Sequence, residues 1–178
     1  MNKLKIYTVG HSTRPLDAFV DMLRGFEVDT LVDIRTIPRS RTNPQYNLDV
    51  LPGALAVQGI GHVQIAQLGG RRKKSKVVAD HTNGFWDNRS FHNYADYALS
   101  DEFDAGLEQL LAISKARCCA IMCAEAVWWR CHRRIVTDYL LVRDVEVAHI
   151  MDKGKVTSAV LNPAARVQGL KVVYPTER

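Results

Sequence analysis

Long hydrophobic runs, a secretion signal and a glycine-rich nucleotide fingerprint are all missing from this sequence. No apolar stretch approaches the roughly 20 residues that cross a bilayer, so we expect no membrane segment. The first residues lead directly into a strand-like pattern, without the apolar region and cleavage site of a signal peptide. Gly10 stands alone at the first turn and forms no G-x-G-x-x-G motif, which leaves dinucleotide binding unsupported. We therefore expect a cytoplasmic protein.

Cysteine is also scarce: the chain has four cysteines, all between positions 118 and 131. Bridges between neighbours in so short a segment would close only short loops and would stabilise the fold little, so we predict reduced thiols. A chain of 178 residues with 47% hydrophobic content can bury a core without such bridges. The 24 Lys and Arg residues outnumber the 19 Asp and Glu residues, and the net charge of +5 favours an anionic partner.

What is present is an alternation of strand and helix patterns. We predict strands at residues 5–9, 30–34, 62–65, 118–122 and 145–150, and shorter ones at 156–160 and 171–174. We predict helices at residues 15–25, 50–58, 90–99 and 130–142, and a longer one that Ser100 opens and whose apolar stripe runs from Phe103 to Leu111. Asp49, Ser90 and Ser100 are candidate N-caps. This order predicts a three-layer, Rossmann-like α/β domain with a mainly parallel sheet. We expect one domain over residues 1–178, with a small strand appendage at 151–178.

Polar loops follow several of the predicted strands. In open α/β sheets the ligand lies beyond the carboxyl ends of the strands, so these loops should meet at one edge. The loops contain residues 10–12, residues 33–41, the pair Gly69-Gly70 with the basic run 71–76, and the cluster 123–133. We therefore predict that the functional site lies at this edge.

Short motifs in these loops resemble a known family. The motifs, in chain order, are Thr8-Val9-Gly10-His11-Ser12, Leu31-Val32-Asp33-Ile34-Arg35, Pro38-Arg39-Ser40-Arg41, Leu68-Gly69-Gly70, Tyr94-Ala95-Asp96-Tyr97, Cys123-Ala124-Glu125 and Cys131-His132-Arg133. Together they resemble the bacterial and archaeal domain-of-unknown-function family 488 (DUF488), from about residue 6 to residue 150. The resemblance implies a compact α/β fold and supplies no established activity.

The candidate catalytic residues come from the ends of the second and fourth long strands. Glu125 and Asp33 are the candidate acid/base pair, and two carboxylates flanking a pocket suit N-glycosidic or phosphate-ester chemistry. His11 and His132 are candidates to assist them. The structural alternative for Glu125 is that its carboxylate caps the helix that follows. We expect a neutral His132 hydrogen-bonded to Glu125 or Asp33.

Cys123 is either a plain buried cysteine or a thiolate nucleophile stabilised by His132 or Arg133. A cysteine at a strand end before a helix faintly resembles the rhodanese and cysteine-phosphatase layout, in which backbone N–H groups and an arginine hold an anion. Six residues separate Cys123 from Arg130, and Glu125 would place negative charge in such a loop. Both facts weaken this alternative.

A metal site is a further alternative, because Cys123, Cys131, His132 and His11 are soft ligands. The spacing from Cys123 to Cys131 differs from that of structural zinc knuckles. We therefore predict no metal, and we leave the cofactor open.

The candidate substrate-binding residues are mainly arginines, because a guanidinium holds phosphate in two places and stays charged when partly buried. The full set is Ser12, Arg35, Arg39, Arg41, Gly69, Gly70, Trp86, Cys131 and Arg133. Trp86 is included as a stacking surface for a nucleobase, on the expectation that it is free while Phe91, Tyr94 and Tyr97 pack in the core.

The residues thus support an enzyme that acts on a phosphate-bearing substrate, either a nucleotide or a nucleic acid. The alternatives are a non-catalytic module that binds nucleic acid through residues 71–76 and Trp86, and a cysteine-dependent enzyme. We expect an anionic small molecule or nucleic acid as the partner. The oligomeric state stays open.

Overall fold

The computed structural model describes residues 3–176. Its central sheet has six strands in the order β3-β2-β4-β1-β5-β6. The strand bounds are β1 Lys5–Gly10, β2 Thr30–Asp33, β3 Gly61–Gln64, β4 Cys119–Cys123, β5 Glu146–Asp152 and β6 Lys155–Ser158. Strands β1 to β5 pair in parallel, and β6 adds an antiparallel edge. A separate hairpin is formed by β7 (Arg166–Gln168) and β8 (Lys171–Val173).

Five helices cover the two faces of the sheet. They are α1 Leu16–Arg24, α2 Leu51–Val57, α3 Arg89–Tyr97, α4 Asp101–Ser114 and α5 Arg133–Val142. Side chains alternate between the faces along β4: Ala120 and Met122 pack with α1 and α2, whereas Cys119 and Ile121 pack with the other three helices. The predicted three-layer α/β fold with a mainly parallel sheet is confirmed.

The strand order creates a crevice at one edge of the sheet. Neighbouring strands β1 and β4 continue into helices on opposite faces, α1 on one and α5 on the other. The chain therefore separates at their carboxyl ends and leaves an open space, which is the usual position of a ligand in a sheet of this kind. Strand β2 lies on the other side of β4, and its carboxyl end borders the same crevice.

The structure confirms one of the three predicted helix N-caps and contradicts the other two. The Ser100 side chain accepts a hydrogen bond from the backbone N–H of Phe103 and caps α4, as predicted. Asn88 caps α3 in place of Ser90, because its side chain accepts from the backbone N–H of Phe91. Helix α2 has no side-chain cap, so the prediction for Asp49 is wrong.

The start of α5 differs most from its prediction. A short 3-10 turn at Trp128–Arg130 precedes the helix, which begins only at Arg133. Val127, directly before this turn, has an extended backbone with a φ of -106° and a ψ of 133°. The segment after β4 is therefore a loop of its own, and Glu125 is not in the first turn of α5.

The C-terminal segment packs against α5. The Tyr174 hydroxyl donates to Asp138 Oδ2 at 2.7 Å, and the backbone N–H of Asn162 donates to Asp138 Oδ1 at 3.1 Å. Val172 and Tyr174 are fully buried in the same core cluster as Tyr139. Within the described residues, no helix is long and apolar enough to cross a membrane.

Candidate functional site

A cleft of about 850 Å³ lies at the carboxyl ends of the central strands. Its lining comes from the segments after β2 and β4, the residues around Gly70, and the first turn of α3. A smaller cavity of about 310 Å³ adjoins it and adds His11, Ser12 and Thr13 from the loop after β1. The two cavities share Arg35, Ile37, Arg39, Ser40, Ala124 and Glu125 and form one groove. The predicted convergence of the loops is therefore observed.

Backbone contacts bring the loops after β1 and β4 together. The N–H groups of His11 and Ser12 donate to the carbonyls of Cys123 and Ala124, each at 3.0 Å. The sheet pairing thus continues beyond the strand ends. A Cβ on Gly10 would collide with the backbone carbonyl of Glu125, so this close approach requires glycine.

Four arginines dominate the charge of the groove. Arg35, Arg39, Arg71 and Arg130 line the larger cavity, and Glu125 is the one acidic side chain among the described residues that line either cavity. No hydrogen bond or ion pair engages the Glu125 carboxylate within the described part of the chain, and its side chain is exposed. The groove therefore has an excess of positive charge with a single free carboxylate.

Asp33 fixes the position of Arg35. The Arg35 guanidinium donates to Asp33 through Nε at 2.9 Å and NH2 at 2.7 Å, and His62 Nε2 lies 3.2 Å from the same carboxylate. Burial alone would raise the pKa of Asp33, but the hydrogen bonds from Arg35 and His62 outweigh burial and hold the pKa below its usual value. Asp33 is therefore an ionised, fully buried partner of Arg35.

His11 is a neutral histidine that faces Arg35. Burial, with a smaller contribution from the nearby Arg35 charge, lowers the pKa of His11 to about 4. The neutral ring donates from Nδ1 to the Ser12 carbonyl at 2.7 Å and accepts at Nε2 from Arg35 NH1 at 3.4 Å. The ring stacks on Tyr46 with centroids 4.1 Å apart. These contacts hold the His11 ring in a fixed orientation in the lining of the smaller cavity.

Arg133 lies below the groove. Its side chain is 1% exposed, and it donates through Nε to Cys123 Sγ at 3.1 Å and through NH2 to the Glu125 carbonyl at 2.8 Å. NH1 donates to Thr8 Oγ1 at 3.0 Å. Arg133 therefore ties the loop after β4 to the sheet.

His132 and Cys131 complete the floor. His132 Nε2 lies 2.9 Å from the Ile34 carbonyl, and Nδ1 lies 3.5 Å from Cys131 Sγ. The expected hydrogen bond from His132 to Glu125 or Asp33 is therefore wrong. A Cβ on Gly70 would collide with the His132 ring, so the loop after β3 approaches the floor closely.

Comparison with known protein families gives one match. The family model described as "Domain of unknown function DUF488" matches residues 15–140. The chain belongs to this family. The resemblance expected from the motifs is thereby confirmed, and every segment of the larger cavity lies within the matched part of this DUF488 chain. No curated protein and no solved structure matches the chain.

Several candidate residues of the DUF488 chain lie in the groove and others do not. The residues of the candidate set that line it are His11, Ser12, Arg35, Arg39, Gly70, Cys123, Glu125, Cys131 and His132. Gly69 is buried beneath Thr36, and Arg41 is exposed outside the lining. Glu125 does not cap α5, because eight positions separate it from the start of the helix.

Trp86 corrects another expectation. Only 6% of its surface is exposed, and it packs against Phe91 and Tyr174 with ring centroids 5.1 and 5.2 Å apart. Its indole was expected to be free, but α3 and the C-terminal segment cover it. The aromatic side chains that line the groove are instead Phe91 and Trp129, and Trp129 is 44% exposed.

The basic run 71–76 divides into two roles. Arg71 lines the groove, and its backbone N–H donates to Thr36 Oγ1 at 2.8 Å. Arg72 turns away: it donates to the carbonyls of Gly69 and Ala66 and stacks over the Tyr97 ring at 3.7 Å. Lys73, Lys74 and Lys76 are exposed beyond them. Only the first residue of the run therefore belongs to the site.

Sequence reasoning did not identify His62, Thr36, Trp129 and Phe91 as site residues. His62 lies on β3 directly opposite Leu31 of β2, and this pairing depends on strand order. Trp129 follows the cysteine motif closely, so its position in the 123–133 cluster was the available signal. Among the described residues, no group of three or more His, Cys, Asp or Glu side chains is placed to hold a metal ion.

Proposed function

We propose that this DUF488 protein is an enzyme that binds a phosphate-bearing substrate in the groove and uses Glu125 as its acid/base group. The observation that carries the proposal is the set of four arginines around one unpaired carboxylate. Arginines bind phosphate oxygens strongly because each hydrogen bond is assisted by charge. A carboxylate without a partner in the described chain is free to exchange a proton with a bound substrate.

The acid/base pair expected from the sequence becomes a single group in this proposal. Asp33 is fully buried and accepts hydrogen bonds from Arg35 and His62, so its role is to hold Arg35 toward the groove. His11 supports the other side of the Arg35 guanidinium through Nε2. Both residues act as positioning residues for phosphate binding.

Aromatic side chains favour a nucleotide or nucleic acid over a simple phosphate ester. Trp129 and Phe91 present ring surface within the cavity that Arg71 and Arg130 line. A nucleobase would stack on such a ring while its phosphate contacts the arginines. The cavity volume of about 850 Å³ is large enough for a nucleotide.

A matched pair of arginines tests the binding part of the proposal. Arg39 lines both cavities, whereas Arg41 is exposed two positions later and lines neither. In calorimetric titrations with inorganic pyrophosphate, we expect Arg39→Ala to weaken binding about tenfold, since a hydrogen bond to a charged group contributes about 1.5 to 3 kcal/mol. Arg41→Ala should bind as the natural protein does. Equal losses of pyrophosphate affinity in both variants would show that the net charge of the protein, and not a contact with Arg39, causes the effect.

Glu125→Gln tests the catalytic part of the same proposal. With nucleoside 5′-phosphates and p-nitrophenyl phosphate as probe substrates, we expect turnover to fall about 100-fold. Pyrophosphate affinity should stay equal or increase, because a negative charge leaves the groove. Unchanged turnover would remove Glu125 from the mechanism. Binding without turnover in the natural protein would favour the nucleic-acid-binding module.

A further inference from the structure

Two cysteine sulfurs meet a buried guanidinium at the floor of the groove. Cys123 ends β4, and Cys131 lies just before α5; they are 4% and 5% exposed, and both line the larger cavity. The Arg133 side chain donates to Cys123 Sγ at 3.1 Å, and the Arg133 backbone N–H donates to Cys131 Sγ at 3.4 Å. The acid/base chemistry proposed for Glu125 does not use these two sulfurs.

The charge of Arg133 needs a compensating negative charge. Within the described residues its hydrogen-bond acceptors are two backbone carbonyls, the Thr8 hydroxyl and Cys123 Sγ, and no carboxylate contacts it. A buried charge without a counter-charge is strongly unfavourable. The neighbouring thiols can supply the counter-charge by losing one proton between them, which gives one thiolate in the pair.

The surroundings favour Cys131 as the thiolate. Burial alone would raise the pKa of Cys131, but the hydrogen bond from the Cys123 thiol and the Arg133 charge outweigh it and lower this pKa to about 7. Burial raises the pKa of Cys123 well above its usual value. The other titratable groups at Cys131 are His132 and Tyr94; burial lowers the pKa of His132 and raises that of Tyr94, so both stay neutral.

We propose that Cys131 is a reactive thiolate at the floor of the groove and that a hydroperoxide converts it, together with Cys123, into a reversible disulfide. The positive groove and Arg133 stabilise the thiolate, and the second sulfur lies beside it. The proposal does not depend on the substrate of the enzyme.

The reaction balances in two steps. The Cys131 thiolate attacks the terminal oxygen of the hydroperoxide, the O–O bond breaks, and the leaving alkoxide or hydroxide takes up a proton. Cys131 is then a sulfenic acid. The Cys123 sulfur attacks the Cys131 sulfur and loses its proton, the S–O bond breaks, and water leaves. The two cysteines lose two electrons, and the hydroperoxide is reduced to water and an alcohol or, for hydrogen peroxide, to two waters.

Disulfide formation would change the groove. A disulfide carries no negative charge, so Arg133 loses its counter-charge while it still holds the carbonyl groups of Glu125 and Ala126. The loop after β4, which presents Glu125 to the groove, is fixed by these bonds. Because oxidation removes a negative charge from the floor of the groove, we expect it to leave pyrophosphate binding equal or stronger, and reduction to reverse the change.

The other two cysteines provide internal controls. Cys119 is fully buried within β4, and Cys118 is half-buried before the strand; burial raises the pKa of both thiols. Cys118 is the more accessible of the two and would react first if exposure alone decided reactivity. If Cys131 reacts faster than Cys118, the thiolate and not exposure decides the reactivity.

The test uses the full chain in its reduced form. Iodoacetamide labelling followed by peptide mapping should give a half-maximal rate near pH 7 for Cys131 and above pH 9 for Cys118. One equivalent of hydrogen peroxide should produce a peptide that links Cys123 to Cys131 and that dithiothreitol separates. Cys123→Ser should stop at the sulfenic acid of Cys131, which dimedone traps. Cys131→Ser should leave Cys123 reduced.

Three results would overturn the proposal. The first is a half-maximal labelling rate of Cys131 above pH 9, which would mean that Arg133 does not stabilise a thiolate. The second is peroxide treatment that yields no Cys123 to Cys131 link while the circular dichroism spectrum is unchanged. The third is dimedone labelling of Cys118 in place of Cys131, which would show that exposure alone decides reactivity.

Discussion

Two arginines with the same chemistry have opposite surroundings in this protein. Arg35 faces a carboxylate and points toward the groove, whereas Arg133 faces sulfur and carbonyl groups below it. We propose that the first binds ligand, and that the second stabilises a thiolate while it holds the loop after β4. The residue type thus predicts a charge, but the neighbours decide what the charge does.

At the residue scale, Gly10 is the most sensitive backbone position of the site. We expect Gly10→Ala to lower the free energy of unfolding by about 1 to 3 kcal/mol, because its Cβ would displace the loop at Glu125. Gly53 is the matched control, since a Cβ there meets nothing within 4 Å. Within α2, Gly53→Ala should stabilise the protein by about 0.5 to 1 kcal/mol. Urea unfolding of both variants measures these two changes in the free energy of unfolding. Equal changes in the two variants would contradict the prediction.

At the element scale, α5 connects the site to the C-terminal segment. Its first residue, Arg133, holds the loop after β4, and its middle residue, Asp138, accepts hydrogen bonds from Tyr174 and Asn162. The helix therefore fixes both the loop after β4 and the C-terminal segment. Its late start, after a 3-10 turn, gives the intervening loop the freedom to line the groove.

Asp138 gives this element a distinct pH dependence. Burial raises the pKa of Asp138 to about 6, from an ordinary value of 3.8 that applies in the unfolded chain. The folded protein therefore binds the proton more tightly, and this contribution to stability is complete below pH 3.8 and lost as the pH rises through about 6. Relative to Asp138→Asn, the natural protein should gain up to about 1.4 kcal/mol per pH unit on acidification within this window. The measurement is urea unfolding of both proteins at a series of pH values. If the expectation is wrong, the difference between their free energies of unfolding will not change with pH.

At the scale of the whole molecule, one fold assembles the groove from segments that are distant in sequence. Strand order brings the ends of β1, β2 and β4 together, and the C-terminal segment closes the core behind α3 and α5. Val172 and Tyr174 belong to the same apolar cluster as Trp86 and Tyr139. Val172 and Tyr174 of the C-terminal segment are thus packed in the core, whereas β6 and β7 are exposed.

This packing predicts one cooperative unfolding transition. In a variant with Trp128→Phe and Trp129→Phe, tryptophan fluorescence reports on Trp86 beside Tyr174 alone. This fluorescence and far-ultraviolet circular dichroism should give coincident urea transitions. Tyr174→Phe should shift both midpoints together to lower urea, because Asp138 loses a hydrogen bond within the core. A fluorescence change that precedes the circular dichroism change would identify the C-terminal segment as a separate unit.

Local patterns were sufficient for most elements and for the edge at which the site lies. The alternation of strands and helices, the cap at Ser100 and the polar groups at strand ends follow from periodicity and from the cost of burying charge. Arg35 and Arg39 were recognisable for the same reason, whereas Arg71 and Arg130 line the groove without having been candidates for substrate binding. Trp86 was not predictable, because an aromatic residue in an irregular segment is buried only when other elements cover it.

The sequence by itself determined an α/β fold, membership in the DUF488 family and a polar, arginine-rich strand edge, since each depends on residues close together in the chain. Only the tertiary structure decided which groups meet. It paired Asp33 with Arg35 and His62, left Glu125 without a partner among residues 3–176, and placed Arg133 against Cys123 and Cys131. The physical reason is that pairing and burial depend on strand order and on the path of the loop after β4, which no local pattern specifies.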